Sequence, residues 1–183
     1  MKHHIHMNSS ITRVALLLML ALCAISPAHE AQAGARTPSE AASRFYGAYL
    51  KLKVRGLPDD AQRKVLWPLL SEDLQVMFDI AKREQDRFIK ENPEEKPPWI
   101  EGDLFSSLFE GASAFRVEPA TVHGGRTEVT IHLVYREGGD TVRWTDTLVL
   151  TRTKDGWVVW DIIFNGDWAF KNGESLRGVL RGK

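Results

Sequence analysis

The 183-residue chain has one cysteine, Cys23, so it cannot form an internal disulfide, and after that position there is no thiol at all. The fold must therefore be held by packing, and thiol catalysis and thiolate metal sites are excluded from everything downstream of Cys23. An excess of charge is also missing. The 24 Lys and Arg residues match the 24 Asp and Glu residues, and no basic block interrupts that balance. This gives no support to nucleic-acid or anionic-membrane binding. The Gly-x-Ser-x-Gly nucleophile elbow, the phosphate-binding glycine loop and the dinucleotide fingerprint do not occur, which disfavours the common hydrolases and nucleotide enzymes. There is no internal repeat.

Long hydrophobic runs are scarce, and the one present is informative. Arg13 precedes the apolar stretch Val14 to Ile25, and Ala31-Gln32-Ala33 follows it. A membrane span needs ~20 apolar residues, and this run falls short. With small residues placed for cleavage, residues 1–33 read as a secretory signal peptide, the alternative being a retained anchor. The mature chain is then expected to start near Gly34, to be periplasmic or secreted, and to have no membrane attachment after cleavage. Leu22 is too bulky for the position before a lipid-modified cysteine. His3, His4 and His6 lie upstream of the run and receive no function, because Met1 and Met7 fit equally as the start.

Residues 34–183 have the length of one domain. Thr37-Pro38-Ser39-Glu40 reads as a capping box opening a helix with Ala41, Phe45, Ala48, Tyr49 and Leu52 on one face and a stop at Gly56. A short helix over 59–66 ends at Trp67-Pro68. Ser71 caps a third helix with the stripe Leu74, Met77, Phe78, Ala81 and Phe88. From Asn92 to Gly111 the periodicity fails, as expected of either a functional loop or an irregular cover for one end of a sheet. Beyond Gly111 the period becomes two. Four strands are predicted over 114–121, 127–136, 141–153 and 157–164, joined by glycine-containing hairpin turns. A short closing helix is predicted over 174–180. The expected fold is α+β: N-terminal helices packed on a curved four-stranded antiparallel sheet, with a short C-terminal helix.

Phe45-Tyr46 and Tyr49-Leu50 in the first helix, Gly102-Asp103 and Phe105 before the sheet, Gly156-Trp157, Val159 and Asp161-Ile162 in the last strand, and Ser175-Leu176-Arg177 occur in an order that carries a likeness. It resembles the cystatin-like cone of the nuclear-transport-factor-two-like superfamily, most of all a branch of exported bacterial domains with no established function. The resemblance implies a cone whose mouth holds a small apolar molecule or a partner, with acid–base chemistry in some members. It also implies a possible homodimer through the outer face of the sheet, where Val134, Val149 and the threonines would meet.

Within the predicted sheet, Asp146 shares the face of Trp144 and Leu148, and Asp161 that of Trp157 and Val159. Two carboxylates facing one apolar cavity could split their pKa values and work as acid and base, with Tyr135 as a further catalytic candidate. Alternatively each is satisfied internally, with Asp161 paired to Arg177 or to backbone N–H groups after the last strand as a structural clasp. Tyr46, Tyr49, Tyr135, Trp144 and Asp146 would line a ligand pocket, or the aromatics among them would be core. His123 and His132 show no ligand spacing, so neither a metal nor another cofactor is expected. Trp99, Trp168 and Phe170 are candidate contact aromatics. Two functions result: a non-catalytic exported domain binding a partner protein or small apolar ligand, immunity or inhibitor proteins included, or a small isomerase or dehydratase using pocket carboxylates.

Overall fold

The computed structural model describes residues 34–182. The expectations for the signal peptide, its cleavage after Ala33, Cys23, the three N-terminal histidines and the start at Met1 or Met7 lie outside these residues. Among the described residues no helix is long and apolar enough to cross a membrane.

Three helices come first: α1 (Pro38–Leu52), α2 (Asp60–Leu66), which runs into a 3-10 turn over Trp67–Leu69, and α3 (Glu72–Glu91). Thr37 caps α1 by accepting the Glu40 N–H at 3.1 Å, but the Glu40 carboxylate reaches Arg36 N–H instead of completing the expected box. The complete capping box belongs to α2, where Asp59 and Gln62 exchange both bonds. Lys53, at φ 47°, terminates α1 in place of the expected glycine. Gly56 serves a different need: at φ +64°, a Cβ there would lie 2.4 Å from the Trp99 carbonyl oxygen. On α3 the buried positions are Leu74, Phe78, Ala81 and Gln85, with Phe88 only half-buried. Gln85 takes a core position because its amide donates to the Pro98 carbonyl at 2.6 Å.

An antiparallel sheet of five strands follows: β1 (Ala114–Val117), β2 (Thr121–His123), β3 (Arg126–Glu137), β4 (Asp140–Thr153) and β5 (Gly156–Phe164). The strand expected over 114–121 is thus two short strands, both paired to β3. Pro119 lies in the break, where it has no N–H to give a ladder. A five-residue helix, α4 (Leu176–Leu180), closes the chain against β5.

Val129, Ile131, Leu133, Leu148, Val159, Ile162 and Phe164 form the inner face of the sheet and pack with Phe45, Tyr46, Phe78 and Phe105 into one core. Between the pairs Val149↔Asp161 and Leu150↔Val159 the register shifts, leaving Trp160 without a partner. This bulge reverses the alternation of β5. Ile162 and Phe164, not Asp161, continue the inner face of Trp157 and Val159. The expected common face for Asp146 and Asp161 is therefore corrected: Asp146 points inward, whereas Asp161 lies opposite Val149 on the other side of the sheet.

Candidate functional site

The segment between α3 and β1 contains neither helix nor strand, yet Gly102 through Leu108 are all buried. A buried irregular backbone must find hydrogen-bond partners outside any ladder. Two aspartates supply many of them. Asp103 accepts the Phe105 N–H at 2.6 Å and the Tyr49 hydroxyl at 2.5 Å, and that hydroxyl in turn accepts the Ala112 N–H at 3.1 Å. Asp146, reaching over from β4, accepts the Ser107 N–H at 2.9 Å and the Ser107 hydroxyl. It also accepts the Trp144 indole N–H and the Asn165 N–H, both at 3.1 Å. Ser107 passes the link onward, accepting from Gly166 N–H through its side chain and from Ala169 N–H through its carbonyl.

Asp161 does similar work on the other side of the sheet. Its Oδ1 accepts the backbone N–H of Arg177 at 3.0 Å and that of Ile162 at 2.8 Å. The Arg177 guanidinium turns elsewhere, donating to the Trp160 carbonyl and stacking 4.4 Å from the centre of the Trp160 ring, where Arg126 also stacks at 4.7 Å. The Asp161–Arg177 contact is thus made through the main chain.

Burial raises the pKa of all three carboxyl groups, and the hydrogen bonds they accept work against it. For Asp103 burial prevails strongly, and its pKa is pushed up to about 7. Burial first, and then the charge of Asp103, raises that of Tyr49.

Asp103 and Tyr49 form the inner wall of a cleft of about 360 Å³ at the C-terminal end of α1. Val54 and Ala112 add apolar surface, and Gly111 closes tightly over the pair. At φ +77°, a Cβ on Gly111 would sit 2.4 Å from Asp103 Oδ2 and 2.9 Å from the Tyr49 hydroxyl. Around the rim stand Lys53, Arg55, Glu110 and Glu137. Tyr135 donates its hydroxyl to Glu137. Protein-family models, curated proteins and solved structures were compared with the chain, and none matches.

Of the expected pocket residues, the cleft gathers Tyr49 and Tyr135 only. Trp144 and Asp146 are joined to each other below Trp168, whose ring meets that of Trp144 edge-on at 5.8 Å. Tyr46 is wholly buried among Phe45, Tyr49 and Phe115, and its hydroxyl has no hydrogen-bond partner. Trp99 donates to the Val179 carbonyl and Phe170 stacks on Phe164, while Trp168 is half-exposed. His132 contacts Glu118 on the outer face of the sheet, and His123 is exposed at the end of β2. Among the described residues no three His, Cys, Asp or Glu side chains cluster as a metal site. Sequence reasoning missed Asp103, Ser107 and Gly111 as site residues. The signal available for Asp103 was its position after Gly102 in a segment rich in apolar residues, where a lone carboxylate needs local donors.

Proposed function

We propose that residues 34–183 are an exported, non-catalytic binding domain of the nuclear-transport-factor-two-like superfamily, its sheet curved into a cystatin-like cone. It would act in the periplasm or outside the cell on a partner protein or a small ligand, and an immunity or inhibitor role falls within this class. The observation that carries the reading is the state of Asp146 and Asp161. Both are engaged by donors of the protein itself, and they stand on opposite sides of the sheet, so they do not form an acid–base pair across one cavity. The cleft at the end of α1 is lined largely by polar groups, which widens the expected small ligand beyond apolar molecules. A panel of small molecules tested by thermal shift, run beside a pull-down from the exported fraction, examines the reading. It predicts a reproducible melting shift or a specific partner; an unshifted melting curve together with an empty pull-down would overturn it.

A second reading, a small isomerase or dehydratase, is favoured by Asp103, whose pKa near 7 suits a group that both gives and takes protons. Its test is turnover of enolisable ketones and of β-hydroxy carbonyl compounds. Activity that disappears in Asp103→Asn while the variant stays folded supports this reading, and a parent protein inert toward both classes removes it.

A further inference from the structure

The cleft at the end of α1 carries charges of both signs, and few of them are neutralised within the protein. Lys53, Arg55 and Glu110 enter no ion pair among the described residues. One Arg55 nitrogen donates to the Phe109 carbonyl at 2.7 Å, which anchors the side chain and leaves the rest of its donor fork available. Glu137 is held by the Tyr135 hydroxyl, which leaves the carboxylate charge in place. On the inner wall Asp103, Tyr49 and the Ala112 N–H are already engaged with one another. Recognition must therefore come from the rim.

We propose that this cleft binds a small zwitterion, a free amino acid or dipeptide, with its carboxylate toward Lys53 and Arg55 and its ammonium group toward Glu110 and Glu137. The inference rests on the binding reading above and gives it a ligand class. A purely anionic ligand would be repelled by the Glu110 and Glu137 carboxylates and a cation by Lys53 and Arg55, whereas a zwitterion complements both signs. Size agrees with this choice. A volume of about 360 Å³ lies near the lower end of small-molecule sites, which run from roughly 300 to 1,000 Å³, and it suits one or two residues better than a long peptide.

Isothermal titration of the purified protein with alanine, alanyl-alanine, N-acetyl-alanyl-alanine and alanyl-alanine amide tests the proposal. Binding of a free zwitterion is expected, and capping either end should weaken it by about tenfold or more, as loss of a charge-assisted hydrogen bond does. Glu110→Gln should weaken the free dipeptide and leave the acetylated one unchanged; Lys53→Gln should weaken the free dipeptide and leave the amide unchanged. Both positions are exposed, so the variants are expected to fold. Equal affinity for free and capped dipeptides, or no binding of either zwitterion at millimolar concentration, overturns the inference. An apolar compound that shifts the melting curve when the zwitterions do not would overturn this inference alone and leave the binding reading standing. An unshifted panel and an empty pull-down would remove both.

Discussion

The inner face of β3, β4 and β5 and the buried segment Gly102–Leu108 lie in the same molecule at similar depth, but their backbones are satisfied in different ways. In the sheet, the ladder pairs each strand's polar groups, so Val129, Ile131, Leu148 and Ile162 can bury their side chains with no further provision. The irregular segment has no ladder. It is buried because Asp103 and Asp146 accept its N–H groups and hydroxyls, and because Gly111 lets the chain come close. Stability in the first region is spread over many apolar contacts, while in the second it is concentrated in a few polar atoms.

That contrast predicts the largest effect at Asp146. Asp146→Ala leaves the Ser107, Asn165 and Trp144 N–H groups without their acceptor, and the expected loss is about 3 kcal/mol or more by chemical denaturation. Ile131→Val, in the middle of the sheet, should cost only about 1 kcal/mol. Equal losses would erase the distinction between the two regions. Gly111→Ala comes next, at roughly 2 kcal/mol, because a methyl group must fit at φ +77° against Asp103 Oδ2. A neutral effect on the melting midpoint would show that the segment moves aside freely.

The Tyr49–Asp103 bond is open to a double-mutant cycle. Tyr49→Phe and Asp103→Asn should be coupled by on the order of 1–2 kcal/mol, and additivity would show that the bond contributes nothing to holding the segment on α1. The pH dependence follows from the same carboxyl group. Its pKa rises from the ordinary 3.8 to about 7 in the folded protein, so between those values the native state holds a proton that the unfolded state has released. The Asp103 contribution to stability is therefore greatest below the lower value and is lost as the pH rises through the higher one. The parent protein should lose stability across that window relative to Asp103→Asn, and parallel pH profiles for the two would contradict the assignment. The smallest effect is expected at Arg177. Since Asp161 is held by the Arg177 main-chain N–H, Arg177→Gln should cost at most about 1 kcal/mol, chiefly from lost stacking on Trp160. A loss of several kcal/mol would mean that the guanidinium itself neutralises Asp161.

How far these features could be read from the sequence differs between the regions for the same reason. Thr37, Ser71 and the alternation of β3 carry local signals, because caps and strand faces depend on residues a few positions apart. The buried loop carries only one, the lone carboxylate that follows Gly102 among apolar residues, and it does not name the partners. Asp103 meets Tyr49 across 54 positions and Ser107 meets Asp146 across 39, so no spacing within a short window indicates either contact. The cleft was half legible: Tyr49 and Tyr135 stood among the pocket candidates, whereas Lys53, Arg55 and Glu110 looked like ordinary surface charges.

The sequence by itself determined the α+β class, the order of helices before antiparallel strands and most of the inward-facing apolar residues. Periodicity, capping and turn chemistry are short-range properties that a chain states directly. Only the tertiary structure decided that Trp160 is an extra residue in β5. That single insertion turned Asp161 away from Asp146, since a change of one in a period of two sends every later side chain to the opposite face. The tertiary structure also decided which polar side chains are drawn inward. Asp103, Ser107 and Asp146 become buried only where distant segments bring donors to them, for an unsatisfied carboxylate would be too costly to leave the solvent.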